Sequence, residues 1–596
     1  MGPEFRSLVG VLCLRKKALA FTCQYRDLDD PCLRLPSMSE PTRPLPPLLP
    51  LPDGGWKAVS VATSVDFKIR GLALMPSNSI VPVIVVPGIM GTNLKARSKP
   101  RSKKEKNQVV NPGKPAWRPP NTMPGGLWDA LVWDRVRPRQ RQLTLDPDTL
   151  EVDDSGEPHM RHDQWGPHVH PQLARERWWG ELHAGSYIDL LCMLETRLNQ
   201  TFYRRYAEDV RRVRPHWQEV MDCDPAKWGF AQMKRLTETE LERHALHHYP
   251  VYGAGYNWLR SAQEGSERLE QRINDIIDYW KAHKRKCEQV ILVTHSMGGL
   301  VARACARRIP DKIAGVIHGA MPALGAPAAY RRMACGTEVN DFVGRFAAMI
   351  LGATTYDTTP VLATSPGPLE LLPNHLYPGP WLHVSVRQPS GSQSVPDAVL
   401  DCLHLPNEAK PDPYRIYRDL TSWYRLVDPA LADPAGKYKP ENKNGTVEAA
   451  IERAIDTAER FHKQHLGNYY HPNTYAFYGA DPDRRAFGQV RWVGCKPSES
   501  RTVLTPSNVK AGSFIRHYPD GRLVGVEPGC EMLFRPEPPD TRGDGTVPHQ
   551  SGAGPAANIR QLFETRGYDH QGAYQGEDML MLTLRLIVRI VQGLPE

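Results

Sequence analysis

The sequence predicts an α/β fold built on a mostly parallel central sheet. Two apolar runs, IVPVIVV at residues 80–86 and VILV at residues 290–293, are typical of strands that are buried on both faces. The second run leads through a turn of small residues into a helical pattern, and an amphipathic helix from about residue 577 to 592 closes the chain. Strands that alternate with helices in this way favour a parallel sheet covered by helices.

The segment VILVTHSMGGL at residues 290–300 places Ser296 at the apex of a turn between strand and helix. Such a turn is a nucleophile elbow, which holds a serine hydroxyl clear of the sheet and needs small residues where the strand and helix nearly touch. Thr294 stands where the usual G-x-S-x-G motif has its first glycine. The segment predicts a serine hydrolase or acyltransferase of the α/β-hydrolase fold. A strand followed by a chance serine is the alternative for this segment taken alone.

The rest of a catalytic triad follows in the chain order of α/β-hydrolases, which is serine, acid, histidine. Asp544 lies between two glycines in RGDGTVP, and His570 lies in the glycine-bounded segment GYDHQG ahead of the closing helix. Taken singly, Asp544 could be a turn aspartate and His570 a surface histidine. The three together predict Ser296 as nucleophile, Asp544 as acid and His570 as base.

Ester hydrolysis also needs two backbone N–H groups directed at the oxyanion that forms when the serine attacks. One donor is expected from Met297, directly after the nucleophile. The segment PGIMG at residues 87–91, which we name the oxyanion loop, follows the first apolar run and allows close approach of a ligand to its backbone. Met90 is the predicted second donor, and Ile89 is the alternative.

Five motifs resemble a known group of enzymes: PGIMGTNL, VVNP, LWDALVWD, YGAGYNWLRS and GDGTVP. They are similar to the lecithin:cholesterol acyltransferase and lysosomal phospholipase group and to GPI inositol-deacylases, and the chain as a whole most resembles bacterial type VI secretion lipase effectors. The resemblance covers residue 80 to the C-terminus, with long unmatched intervals. Asn257 departs from it, since the acyltransferases tend to carry an aspartate there.

The resemblance implies a serine lipase or phospholipase that cleaves membrane phospholipid acyl esters and acts as an antibacterial type VI effector. Its expected partners are the membrane substrate, the secretion machinery and a cognate immunity protein. One alternative is a lipid acyltransferase or a GPI-inositol-deacylase-like esterase. Another is an inactive hydrolase fold that binds a membrane or a partner.

With 596 residues, the chain exceeds the ~250–300 at which a single core stops growing, so we expect large cap or lid insertions in the hydrolase. Residues 1–37 have the features of a vector-derived or non-native leader, and residues 38–79 form a proline-rich segment. The hydrolase is predicted over residues 80–596, with insertions at about 95–250 and about 328–470. Each insertion contains an apolar helical stripe. Such a stripe is more often simple core, and one of the two is expected to form a lid instead. The first stripe is Ile188, Leu191, Leu194 and Leu198, and the second is Phe342, Phe346, Met349 and Ile350.

The composition gives little sign of other ligands. The eleven cysteines contain no C-x-x-C pair, and His244, His247 and His248 lack acidic neighbours in a ligand pattern, so we predict a surface helix there and no metal site. No cofactor is predicted, and calcium is an alternative that no motif indicates.

The net charge of +9 is concentrated at residues 95–106, which predict a solvated loop or a contact with an anionic membrane, and no nucleic-acid partner is expected. The first residues lack the apolar core of a signal peptide. We therefore expect synthesis in the cytoplasm without a Sec signal. The resemblance to type VI effectors implies that the protein is then secreted and acts at the membrane in the periplasm of a target cell.

Overall fold

The computed structural model describes most of the chain from residue 76 onward and a few short segments before it. The described residues are 9–14, 43–44, 49–52, 56–61, 71–72, 76–98, 110–119, 136–157, 169, 171–205, 210–337, 352, 354–390, 397–407, 411–441, 445–497 and 502–594. The motif LWDALVWD, most of the basic cluster and the second apolar stripe therefore lie outside the described residues.

A six-stranded parallel sheet forms the centre of the molecule. Its strands, in chain order, are β1 (Val83–Val86), β2 (Val251–Gly253), β3 (Val290–His295), β4 (Ile313–Gly319), β5 (Thr474–Gly479) and β6 (Gln561–Thr565). The order across the sheet is β2-β1-β3-β4-β5-β6, and every neighbouring pair is parallel. Every residue of the first five strands is buried, which explains their continuous apolar runs.

Helices cover both faces of this sheet. They are α1 (Ala184–Leu198), α2 (Ala262–Ala282), α3 (Met297–Arg308), α4 (Val447–Arg460) and α5 (Glu577–Val591). Side chains of α2, α3 and α4 share one core with alternate residues of the strands, whereas side chains of α1 and α5 share a second core with the residues between them. Two cores on opposite faces of one sheet are the layered arrangement that the sequence predicts.

A second six-stranded sheet lies beside the first and was not predicted. Its strands, in spatial order, are Ala398–Leu405, Leu382–Gln388, Val490–Cys495, Cys530–Pro536, Gly521–Glu527 and Ser513–Tyr518. Only the pair formed by Leu382–Gln388 and Val490–Cys495 is parallel within this sheet. Trp492, on one of these strands, is fully buried, as are Trp381 and Trp423, and all three belong to the same core as α2 and α3.

The remaining elements are short. Further helices are Pro138–Thr144, Pro171–Glu176, Pro215–Asp222, Glu238–His244, Pro327–Cys335, Thr355–Leu362, Pro366–Leu369, Tyr414–Arg418, Pro429–Ala432, Pro506–Lys510 and His549–Gly552, with a π-helical turn at Phe461–Leu466 and 3-10 turns at Trp179–Glu181, Pro225–Trp228, Pro310–Lys312, Ala556–Asn558 and Gln571–Tyr574. Further strands are Val9–Leu14, Arg43–Pro44, Leu49–Pro50, Trp56–Val61, Gly71–Leu72, Ser79–Ile80, Leu94–Ala96, Pro115–Trp117, Leu150–Val152, Phe202–Arg205, Val210–Val213, His247–His248, Asp481–Ala486 and Thr541–Gly543.

The first apolar stripe is part of the protein core. Its four side chains lie on α1 and are buried against β1, β2 and α5. In this structure the stripe is therefore packed as core, and the lid remains a prediction for the second stripe, outside the described residues.

The prediction of a surface helix for three histidines is wrong. His244 ends the helix Glu238–His244 fully buried, with its Nε2 donating to the carbonyl of Leu198 at 3.0 Å and its ring stacked on Tyr249. His247 and His248 form a short buried strand. The sequence pattern fitted a helix, but apolar burial outweighed the polarity of these rings because each can stay neutral.

Asn257 shows why an amide replaces the expected aspartate. Its Nδ2 donates to the carbonyls of Pro147 at 3.1 Å and Leu150 at 3.4 Å, which a carboxylate could not do.

Among the described residues, no helix combines the length and the apolar character that a membrane crossing requires.

Candidate active site

The loops that follow β1, β3 and β6 converge at the carboxyl edge of the central sheet. Ser296 follows β3, the oxyanion loop follows β1, and His570 follows β6. Asp544 follows the strand Thr541–Gly543, and a side chain placed on Gly479 at the end of β5 would lie 2.7 Å from Asp544 Cβ. The structure therefore brings the three predicted triad residues to one edge of the sheet, where parallel sheets hold their ligands.

The backbone at Ser296 is strained. Its φ of 51° and ψ of −127° lie outside the regions that side chains favour, and its amide donates to the carbonyl of Gly319 at 2.9 Å. A Cβ on Gly298 would lie 2.4 Å from the carbonyl oxygen of Pro87, so only glycine fits where α3 crosses the oxyanion loop. This backbone geometry is the one that a nucleophile elbow requires.

Three side chains form an unbroken line of hydrogen bonds. The Ser296 hydroxyl lies 2.7 Å from His570 Nε2, and His570 Nδ1 lies 2.8 Å from Asp544 Oδ2. The other oxygen of Asp544 accepts from the amides of Thr546 at 3.0 Å and Val547 at 2.7 Å. Because a carboxylate only accepts, His570 Nδ1 carries the proton, and Nε2 is left to accept from the serine.

The loop that carries His570 is anchored to the acid as well. The His570 amide donates to the carbonyl of Asp544 at 2.8 Å, and the Gly572 amide donates to Asp569 Oδ1 at 2.7 Å. Asp544 is buried, whereas the His570 side chain is 17% exposed. The Asp544 carboxyl is therefore shielded from water, whereas part of the His570 ring is accessible.

Met297 is the first residue of α3, where an amide has no acceptor within the helix. Met90 has a positive φ of 64° in the turn that the Gly91 amide closes onto the carbonyl of Gly88 at 3.0 Å. The indole of Trp117 donates to the Met90 carbonyl at 2.8 Å and thereby restrains this turn. Both predicted oxyanion donors thus lie in segments adjoining Ser296.

Two further residues lie beside the triad, and sequence patterns did not identify their contacts. Tyr187, on α1, has its hydroxyl 2.9 Å from the amide of Gly88 and 2.8 Å from His295 Nδ1. His295 Nε2 donates to the carbonyl of His570 at 2.7 Å. Tyr187 is 108 residues from His295 in the chain, so no local motif could have indicated the pair.

Burial changes the ionisation of these neighbours. It lowers the pKa of the His295 imidazole to about 3 and raises that of the Tyr187 hydroxyl well above its ordinary value. Both groups are therefore neutral near pH 7.

Among the described residues, no cluster of three or more histidine, cysteine or acidic side chains could hold a metal ion.

The comparisons with known proteins agree with this fold. A family model described as a PGAP1-like alpha/beta domain matches residues 237–350, which include the elbow. The chain is an α/β-hydrolase. No curated protein matches it.

A solved chain from the Tle4-Tli4 complex is 28% identical, with a TM-score of 0.67, and the match covers 87% of this chain and 99% of that one. This match extends far beyond residues 237–350, which the family model covers. The two matches confirm the resemblance that the motifs indicate and support hydrolase activity for this α/β-hydrolase.

Proposed function

We propose that this α/β-hydrolase is a serine phospholipase that hydrolyses the acyl esters of membrane phospholipids. The observation that carries the proposal is the line of hydrogen bonds from Asp544 through His570 to Ser296, placed at a strained elbow. The line alone would fit many esterases. The substrate class comes from the motif resemblance and from the similarity to the chain of the Tle4-Tli4 complex.

The geometry allows a two-step reaction. His570 Nε2 takes the proton of the Ser296 hydroxyl as the serine oxygen bonds to the acyl carbon, and the imidazolium then protonates the departing lysophospholipid oxygen. Water, deprotonated by the same nitrogen, attacks the acyl-serine and releases the fatty acid. Asp544 holds the ring in the tautomer that leaves Nε2 free to accept.

The negative oxygen of each tetrahedral intermediate needs donors already in place. The Met297 amide is the first donor in this proposal and the Met90 amide is the second, with Ile89 as the alternative from the same turn. The Trp117 contact and the turn closed by Gly91 restrain the Met90 peptide before substrate arrives. No cofactor takes part, so activity should be unchanged by a chelator such as EDTA.

A chromogenic p-nitrophenyl ester tests the enzymatic claim. The wild type should release a burst of p-nitrophenol when acylation outpaces deacylation, and Ser296→Ala should release none. Ser266→Ala is a matched control, because Ser266 is also buried but its hydroxyl donates only to the helix carbonyl of Gln263. An inactive binding fold predicts no turnover by any of the three proteins.

Added alcohol distinguishes hydrolysis from acyl transfer, since a transferase would form a new ester.

The compartment and partner are part of the same proposal. The similarity to the Tle4-Tli4 complex supports an effector that is secreted into a target cell and inhibited by a cognate immunity protein. Expression in a bacterial host with and without an added Sec signal tests this. Toxicity confined to the exported form and lost with Ser296→Ala is expected. Full activity on lipid in vitro with no toxicity in either compartment would contradict it.

A further inference from the structure

A chain of three buried hydrogen bonds connects the oxyanion loop to the backbone of the base. It runs from the Gly88 amide to the Tyr187 hydroxyl at 2.9 Å, from that hydroxyl to His295 Nδ1 at 2.8 Å, and from His295 Nε2 to the His570 carbonyl at 2.7 Å. Tyr187 is 3% exposed and His295 is 6% exposed. Neither side chain takes part in the triad itself.

The chemistry of the two ends fixes the direction of every proton. The Gly88 amide can only donate, so the Tyr187 oxygen accepts from it. The His570 carbonyl can only accept, so His295 Nε2 carries the ring proton. Nδ1 is then an acceptor, because a neutral imidazole has one donor nitrogen and one acceptor nitrogen. The Tyr187 hydroxyl therefore donates to His295. All three bonds point the same way, and hydrogen bonds in such a chain strengthen one another.

The two ends of this chain are the parts whose placement the reaction needs. A Cβ on Gly88 would lie 2.9 Å from Ser296 Cβ, so the start of the oxyanion loop packs directly against the nucleophile. The other end is the backbone of the base. The start of α1 also contacts the His570 loop independently, because the side-chain Nε2 of Gln571 donates to Ser186 Oγ at 2.9 Å.

We propose that Tyr187 and His295 are positioning residues that hold the oxyanion loop and His570 in fixed positions relative to Ser296. This inference rests on the proposed function. It assigns a role in the reaction to α1, a helix of the first insertion, although that helix supplies no group that touches the reacting atoms. Because the bonds are made before substrate arrives, their loss should slow the chemical step rather than weaken substrate binding.

The variant Tyr187→Phe tests this, since it keeps the ring and removes only the hydroxyl. We expect kcat on a p-nitrophenyl ester to fall about 10- to 100-fold, as misplacement by about 1 Å does, with KM within about twofold of wild type. Tyr249→Phe is the matched control. Tyr249 is fully buried, and its hydroxyl donates to the His244 carbonyl at 2.8 Å. It precedes β2 and therefore lies at the edge of the sheet opposite to the site. The control variant should lower the melting temperature similarly but leave kcat unchanged.

A double-mutant cycle tests whether the two residues act as one unit. His295→Gln can still donate to the His570 carbonyl but offers the Tyr187 hydroxyl no acceptor at the Nδ1 position. Its kcat should fall as much as that of Tyr187→Phe, and the double variant should lose little more than either alone. If Tyr187→Phe did not fold, His295→Gln alone would carry the same expectation.

The outcomes separate this inference from the proposed function. Tyr187→Phe or His295→Gln with wild-type kcat, or losses that multiply in the double variant, would overturn the positioning role while Ser296→Ala still abolished activity. Wild-type turnover by Ser296→Ala would instead overturn the proposed function.

Discussion

The hydroxyl of Thr294 lies 2.8 Å from Nδ1 of His318, its direct neighbour on β4. Both side chains are buried, and burial lowers the pKa of His318 to about 3, so the pair is a neutral hydrogen bond inside the sheet. The elbow motif has a glycine at the position of Thr294. In this chain the neighbouring strand supplies a polar partner that makes a threonine suitable.

Restoring the glycine should therefore destabilise the protein. Thr294→Gly leaves the buried Nδ1 of His318 without a partner, which costs about 1–3 kcal/mol, and places a flexible residue in a strand. Thr294→Ser, which keeps the hydroxyl, should lose less. Urea unfolding of the two variants measures the difference, and equal stability of Thr294→Gly and wild type would show that the pair contributes nothing.

Asp544→Asn should reduce kcat by roughly 10⁴-fold while leaving the fold intact, as the equivalent change does in serine proteases. The amide would donate toward His570 Nδ1 and favour the tautomer in which Nε2 cannot accept from Ser296. Asp483→Asn, an exposed carboxylate on the strand that pairs with Thr541–Gly543, is the matched control and should keep full activity. A loss below about tenfold for Asp544→Asn would mean that another acid serves the triad.

Acid should unfold this protein through its buried histidines. Burial lowers the folded-state pKa below the ordinary 6.5 for a set of these rings: His244, His248, His295 and His318 to about 3, and His216 and His462 to about 4. The unfolded chain therefore binds more protons below pH 6.5. The free energy of unfolding should be highest above that pH and fall as pH drops toward 4.

His244→Gln isolates one member of this set. Glutamine can still donate to the Leu198 carbonyl but does not titrate, so the pH slope of the unfolding free energy below pH 6 should shrink by about 1.4 kcal/mol per pH unit. Urea titrations from pH 7.5 to 4.5 measure the slope. An unchanged slope would mean that His244 is protonated in the folded state.

A buried acid titrates in the opposite direction. Glu370 is fully buried, accepts from the Ser261 hydroxyl and the Ala262 amide at the start of α2, and has its pKa raised well above the ordinary value by burial. The stability it contributes is present at low pH and lost as pH rises through the raised pKa. Glu370→Gln should therefore stabilise the protein more at pH 8 than at pH 5. Glu370→Ala, which leaves the Ala262 amide unsatisfied, should destabilise it at both, by about 1–3 kcal/mol.

Local chemistry explains which parts were predictable from the sequence. The strand containing Ile84, the elbow at Ser296 and the loop of His570 each carry their own signal, because burial, tight turns and close backbone contacts restrict residue choice within a few positions. The triad order then places the distant parts together. Tyr187 carries no such signal, since its contacts with Gly88 and His295 depend on how an insertion folds back onto the sheet.

The second sheet escaped prediction for a related reason. Its strand Ala398–Leu405 is largely exposed and pairs with Leu382–Gln388, which in turn lies beside Val490–Cys495, about a hundred residues later. Pairing between such distant segments is set by tertiary packing around residues such as Trp492, and short alternating runs do not indicate their partners.

Mass spectrometry of phospholipid vesicles incubated with the wild type and with Ser296→Ala tests the central claim most directly. Attack of the serine on an acyl carbon predicts fatty acid and lysophospholipid in equal initial amounts from the wild type and neither product from Ser296→Ala. Release of a phosphorylated head group, or the same products from both proteins, would contradict it.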